Sequence, residues 1–301
     1  MPRTAIFPLA VFILIFSAEE FNPAREVSSQ SAMAISGILL RKSSTQRSSP
    51  LDLELGGDLK GLSPGATRFV TRRDLLALPQ VSFTATNDEK FTRPTRVSGV
   101  ELEELVRALG GTPTSEMLVA ICSDGYHANL TSAYTAAHHP LLVLEIDGKA
   151  PPEWPKDAEH GTEMGPYTVS YLDFVPRFKF ADEPQTPWGI IRLDLRDEQE
   201  VFGAIAPRGP RANDPAVQAG YQIAEQNCFR CHNAGQEGGQ KSGRPWLVLS
   251  AWATASPDFF MAYVRNPQTK NPHSAMPGNP NYDDSTMSAL IAYFRIFSAS
   301  P

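Results

Sequence analysis

Cysteine is scarce: the chain has 3 in 301 residues. That excludes a disulfide-stapled scaffold, which is dense in paired cysteines. It leaves one two-thiol site and one thiol over. Positive charge is not in excess either. The 27 Lys and Arg against 33 Asp and Glu give a net charge of −6, which argues against a nucleic-acid binder, since such proteins present a basic face. The apolar run from Ala5 to Phe16 is shorter than the roughly 20 residues of a membrane-spanning helix. The Gly-containing stretch Gln236–Gly243 has no lysine followed by Ser or Thr at phosphate-loop spacing, so it reads as a mobile loop. What the chain does have is 42% hydrophobic and 20% charged residues, enough to build packed cores. Its 26 Pro and 21 Gly favour a loop-rich body over long helices. At about 100–200 residues per domain, this length predicts two domains.

The N-terminus has the three parts of an export signal. Arg3 precedes the apolar run, small Ser17 and Ala18 follow it, and Glu19-Glu20 closes it. This predicts a signal over residues 1–18 and a periplasmic or otherwise extracytoplasmic protein. Ala32-Met33-Ala34 is a second small-x-small cleavage candidate. The competing readings are a mis-called start codon and an uncleaved anchor, and only the anchor implies membrane association. Residues 19–49, rich in Ser and Arg, read as a flexible spacer.

Charge divides the rest. Residues 1–49 carry five bases and three acids, 213–301 carry six of each, and 50–212 therefore hold 24 acids and 16 bases, or −8. Between the acidic and neutral parts lies the Pro- and Gly-rich stretch Ala206–Pro215, which has the composition of a linker. The expected division is a domain at 50–203, a linker at 204–215 and a second domain at 216–301.

The second domain carries the chemistry. Cys228-Phe229-Arg230-Cys231-His232 has the spacing of c-type haem attachment. Two thiols at that spacing add to the two haem vinyl groups, and the adjacent His lies under the ring as an iron ligand. A redox dithiol or half a zinc site would use similar residues. Zinc needs a second ligand pair, and the segment has no further cysteine. A redox motif expects a βαβ setting, whereas this one follows a helix. That helix is Ala216–Gln226, with Asp214 as its cap and Pro215 in its first turn. Ser256-Pro257-Asp258 opens another, with Phe259, Phe260, Tyr263 and Val264 on its apolar face. Asp284-Ser285 opens a last helix, whose Met287, Leu290, Ile291 and Phe294 make one stripe.

Residues 213–298 resemble the class I cytochrome c domain. The likeness rests on Gly220-Tyr221, the haem motif, Pro245 with Leu247, Asn266-Pro267, Met276-Pro277 and the closing helix. It implies an all-α fold, one covalent haem c on Cys228 and Cys231, and axial ligation by His232 and Met276. Met261, Met287 and His273 are the rivals for the distal position; the two methionines sit at apolar helix spacing, as core residues do. His/Met ligation leaves no open site and favours ferrous iron, so the resemblance implies one-electron transfer to a redox partner protein. Trp246 and Trp252 are expected near the ring or in the core, and Tyr221 is expected to meet Tyr293 where the first and last helices cross.

Residues 50–200 alternate short apolar runs with turns. Strands are predicted at Leu51–Leu55, Gln80–Thr86, Met117–Cys122, Leu141–Ile146 and Ile190–Leu195. Helices are predicted at Arg72–Leu78 behind Thr71, and at Glu101–Leu109 behind Ser98-Gly99. Asp147-Gly148 is a hairpin turn. The fold class is α+β. The order of phrases, from Arg73–Pro79 through Val97–Val100 and Ser123–Tyr126 to the Leu141–Pro151 hairpin, resembles the molybdopterin-binding domain of the sulfite oxidase family. That family ligates molybdenum through a cysteine soon after the strand matched here by Val81–Thr86. This chain reads Asn87-Asp88-Glu89-Lys90-Phe91 there, and a hard carboxylate replaces a thiolate poorly. Cys122 reads as a small core residue. His138-His139, adjacent on a predicted strand, would face opposite ways; His127 is expected by a cleft, and His160 in solvent.

Three readings follow. The favoured one is an exported electron carrier whose first domain is a molybdenum-free docking or ligand-binding module. The second is a molybdopterin-dependent oxidoreductase that passes electrons to its own haem. The third is a sensor with an exchangeable Met276.

Overall fold

The computed structural model describes residues 36–111 and 116–298; the export segment at 1–18 lies outside them. Residues 36–49, expected in a flexible spacer, instead fold onto the first domain. Helix α1 (Ile38–Lys42) buries Leu39 to 1% exposure, and Ser44 bridges to Phe69. The Ser-rich composition misleads because Asp52 gathers two backbone N–H groups and one hydroxyl of this stretch. Its carboxylate accepts from the Ser48 and Ser49 backbone N–H groups and from the Ser48 hydroxyl.

Two sheets and their helices form the α+β part. The first sheet contains β1 (Leu53–Gly57), β2 (Arg68–Val70), β5 (Glu116–Cys122), β6 (His127–Leu130) and β9 (Ile190–Asp197), in the order β2-β1-β9-β5-β6. Only the β1–β9 pair is parallel among these. The second sheet contains β3 (Val81–Ala85), β4 (Thr95–Glu101), β7 (Leu141–Ile146) and β8 (Thr168–Ser170), antiparallel in that order. Helix α2 (Arg72–Leu76) starts on Thr71, whose side chain accepts from Asp74 N. Helix α3 (Leu102–Ala108) presents Leu102, Leu105 and Val106 to the core. Ser98-Gly99, expected as a helix start, lies inside β4, and the helix begins behind Glu101. Gly99 is needed there because a Cβ would collide with the Leu142 carbonyl of β7. Helix α4 (Ser132–His138) corrects the strand reading of the His pair: His138 ends the helix, and His139 caps it at φ 46°. Tertiary packing of Tyr134 and Thr135 makes a helix of a segment with little apolar periodicity.

The expected linker is only partly one. Helix α5 (Glu198–Gly203) directly follows β9, and Ile205 is fully buried. The Ile205 carbonyl accepts from Tyr293 Oη at 2.6 Å. The helical part then comprises α6 (Pro215–Asn227), α7 (Trp246–Ala255), α8 (Pro257–Arg265), a single 3₁₀ turn at Pro267–Thr269, and α9 (Asp284–Arg295). Asp214 caps α6 by accepting from Ala216 N, and Asp283 caps α9 by accepting from Thr286 N. Helices α6 and α9 cross at Gly220, where a Cβ would strike the Ala289 carbonyl. Tyr221 and Tyr293 meet there, with ring centroids 5.7 Å apart.

Strand β5 joins the two parts. Successive strand residues face opposite ways. Leu118, Ala120 and Cys122 lie in the α+β core, while Met117 and Val119, with half-buried Ile121, pack into the helical core beside Phe202, Phe229 and Leu290. Burying each such side chain contributes about 1.5–3 kcal/mol. One strand thus serves two cores.

Candidate functional site

Helix α6 delivers the two-thiol motif at its C-terminus. Cys228 is the helix cap, and the chain turns tightly after it: His232 N and Cys231 N both donate to Cys228 O, at 3.0 and 3.1 Å. Phe229, between the cysteines, is fully buried against Phe202 and Trp246. Both thiols are half-buried. Burial pushes Cys228 up to about 12 and raises Cys231, whose neighbours Lys241 and Arg230 oppose the shift.

His232 is buried, and its Nδ1 lies 2.7 Å from Arg244 O. A carbonyl only accepts, so Nδ1 carries the proton and Nε2 keeps its lone pair. Burial lowers the imidazole pKa, the Arg244 carbonyl opposes that, and the Arg244 charge adds to it. A neutral imidazole with its tautomer set by a backbone carbonyl is the state an iron ligand requires. Met276 is half-buried in the loop after α8 and packs on the same core as Cys228. Gln268 Nε2 donates to Met276 O at 3.0 Å. Of the rivals, Met287 is fully buried in α9, Met261 packs on the core from within α8, and His273 is exposed.

The loop Gln236–Gly243 is not the mobile loop its glycines suggest. Gly239 N donates to Phe229 O, Ser242 N to Cys231 O, and Gln240 N to Gly125 O. Its glycines allow close approach: a Cβ on Gly239 would collide with Arg230 O, and one on Gly238 (φ 85°) with the Phe229 ring. Gly125, in the β5–β6 turn at φ 83°, makes room for Gln240 and Lys241.

The motif is also an interface. His127 N donates to Arg230 O at 2.9 Å, and Lys241 pairs with Asp124 at 2.7 Å. The Arg230 guanidinium donates to the carbonyls of Pro184 and Glu183 at 3.3 and 3.4 Å. Gln226 donates to Glu183 O at 2.8 Å. That carbonyl strap is locked from behind. Gln185 exchanges two hydrogen bonds with Asn129, and its N–H donates to Tyr134 Oη. Asp182 pairs with His138 Nε2 at 2.8 Å. Sequence reasoning missed Arg230 because the middle residues of a two-thiol motif carry no fixed chemistry; only contact with the other domain gives this one a role.

Elsewhere the expected residues disperse. Cys122 is a buried core thiol, and burial pushes its pKa up, as expected of an unreactive group. His127 is half-buried at the start of β6, and the exposed His160 lies 3.2 Å from Asp157. Among the described residues, no three His, Cys, Asp or Glu side chains converge as a metal cage would need. The stretch Asn87–Phe91 does not fit a molybdenum ligand. Asp88 is buried against Lys90 at 2.8 Å and accepts from the Ser170 hydroxyl at 2.7 Å. Lys90 also donates to Val169 O, so the ion pair satisfies itself.

A helical unit that presents two thiols and a neutral, carbonyl-oriented imidazole from the end of its first helix is a cytochrome c domain, and such a domain holds covalent haem c. Residues 215–294 match the family model for cytochrome C oxidase, cbb3-type, subunit III. Among solved structures, the sulfane dehydrogenase SoxCD from Paracoccus pantotrophus is similar at 17% identity and a TM-score of 0.32. The match covers 56% of this chain and 45% of that one, so the chain spans less than half its length. No curated protein matches the chain.

Proposed function

We propose that this is an exported c-type cytochrome. In this reading residues 1–18 direct export, 50–203 form the first domain, 204–215 connect, and 216–301 carry the haem. Cys228 and Cys231 would anchor it through thioethers, and His232 and Met276 would supply ligands to its iron. The observation that carries the reading is the neutral His232, its Nε2 left free by the Nδ1–Arg244 O bond directly after the two thiols. When bound, the haem supplies a one-electron iron couple. The protein's part is to hold and bias it. His232 keeps its proton on Nδ1, Phe229 and Trp246 exclude water on the motif side, and the Met276 thioether favours the ferrous state.

The first domain serves as a docking module. The buried Asp88–Lys90 pair supports a molybdenum-free role, and the strap at Glu183–Pro184 supports a role in holding the haem segment. Elemental analysis of the full-length protein tests both parts. About one iron per chain with a covalent haem spectrum is expected; stoichiometric molybdenum would overturn the docking role and favour an oxidoreductase. Met276→Ala is expected to retain covalent haem and lower the reduction potential. An unchanged potential would mean that another group is the distal ligand.

A further inference from the structure

The loop between β8 and β9 carries an apolar surface that no core takes in. Leu172, Val175 and Phe178 are 62%, 72% and 62% exposed, whereas large apolar side chains are ordinarily inside. Together they offer about 300–400 Å² to solvent, the size of patch that marks a contact site on a monomer. Their exposure is held in place. Phe174, between them, turns inward and stacks on His138 with ring centroids 4.1 Å apart. Arg177 donates from its backbone N–H and its Nε to Asp182 Oδ2, at 2.7 and 3.0 Å. At the far end Asn227 donates to Phe180 O, and the Phe180 ring lies 4.6 Å from that of Tyr282. A loop pinned at both ends projects its apolar tips by construction.

Its position and charge narrow the occupant. Phe180 and Ala181 pack on the same core as Cys228 and Met276, so the patch continues the domain interface outward from the thiol-bearing turn. Arg177 and Lys179 stand at its margin, with 43% and 71% of their side chains exposed. The anion of Arg177, Asp182, is buried behind the loop. The Lys179–Asp283 pair, at 3.4 Å, is exposed on both sides and costs little to exchange. Residues 172–180 hold two bases and one acid within a segment that carries −8, which makes the loop a basic spot on an acidic domain. An anionic lipid surface would repel the rest of that domain. A stable dimer needs roughly 800 Å² from each copy, about twice what the patch offers, whereas transient redox encounters use smaller contacts.

We infer that Leu172, Val175 and Phe178, with Arg177 and Lys179 at their margin, are the docking surface for a one-electron redox protein with an acid-rimmed apolar face. The first domain then selects the partner that the haem domain serves. The inference rests on the electron-carrier reading above. One electron passes between the haem iron and the partner's own centre, one oxidised as the other is reduced, and no bond or proton moves.

The test uses the full-length holoprotein and two blue-copper proteins of similar potential as probes, one with an acid-rimmed apolar face and one with a basic rim. Stopped-flow absorbance follows the haem. At low salt the acidic probe is expected to react at least about tenfold faster than the basic one, and added salt should shrink that advantage. Replacing the exposed tips together, Val175→Ser with Phe178→Ser, is expected to slow the acidic probe roughly tenfold. The same variant should react with benzoquinone, a small neutral oxidant, at the parent's rate. Equal rates with the two probes, or an acidic-probe rate unmoved by the substitutions, overturns the inference. Sedimentation of the parent with phosphatidylcholine–phosphatidylglycerol vesicles that is lost in the variant would assign the patch to a lipid surface and equally overturn it. A parent without covalent haem would instead overturn the underlying haem reading, whereas a haem that reacts with benzoquinone and ignores the substitutions overturns only the docking surface.

Discussion

Glu225 lies on α6, less than a turn before Cys228, in a crevice lined by Glu198, Phe202, Ala206 and Tyr221. Burial raises its carboxyl to about 7; the Tyr221 hydroxyl opposes this by hydrogen bonding, and the Glu198 charge adds to it. Each tenfold change in proton affinity is worth about 1.4 kcal/mol. The displacement from the ordinary 4.5 then amounts to about 3 kcal/mol, and screening by water in the open crevice trims it to the order of 1–3 kcal/mol. The folded carboxyl keeps its proton up to about pH 7, while the unfolded one releases it near its ordinary value. Between those limits the folded state binds more protons, so its stability falls as pH rises. Glu225→Gln copies the protonated form. The variant should match the parent below pH 4.5 and exceed it above pH 7 by the same 1–3 kcal/mol. Urea unfolding of the holoprotein, followed by far-ultraviolet circular dichroism at a series of pH values, gives the difference directly. Variant and parent curves that stay parallel from pH 4 to pH 8 would refute the assignment.

Gly220→Ala places a methyl against the Ala289 carbonyl and the Tyr293 side chain where α6 crosses α9. It should destabilise by about 1–3 kcal/mol, read as a lower thermal midpoint with haem still attached. Arg230→Met keeps the apolar stem but removes the donors to Glu183 and Pro184. Cleavage by an added protease between Pro207 and Asn213 should become severalfold faster at an unchanged haem content, and an unchanged cleavage rate would mean that the strap does not hold the motif.

Much of the site was legible because its chemistry is local. The two thiols and His are contiguous, and the caps Asp214 and Thr71 act within three residues of themselves. Strands with continuous apolar runs, such as Leu141–Ile146, were found with the same bounds. Elements defined by distant partners were not. Thr95–Glu101 has mixed composition and exists as a strand because it pairs with both β3 and β7. Helix α7 was missed because it is apolar on most sides and so lacks a face that periodicity can reveal. The three glycines between Gln236 and Gly243 looked like freedom, but two of them are contact points, and only the opposing chain distinguishes these cases.

The interface bears on what the first domain does. Two domains in one chain move relative to one another by default, unless a substantial apolar contact joins them. Here alternate residues of β5 enter the helical core, the Ile205 carbonyl is bonded to Tyr293, and the haem-bearing turn is tied to the β5–β6 turn through Arg230, Gln240 and Lys241. These contacts oppose hinge motion at the segment that would otherwise flex. Under the proposed function, a module built this way would influence the haem by position, through where it fixes the thiol-bearing turn. Electron transfer depends on a fixed, water-excluded environment around the iron more than on additional reactive groups. In the proposed reading, a first domain that keeps its own ion pair buried and satisfied at Asp88–Lys90, while offering backbone carbonyls to Arg230, would give that support.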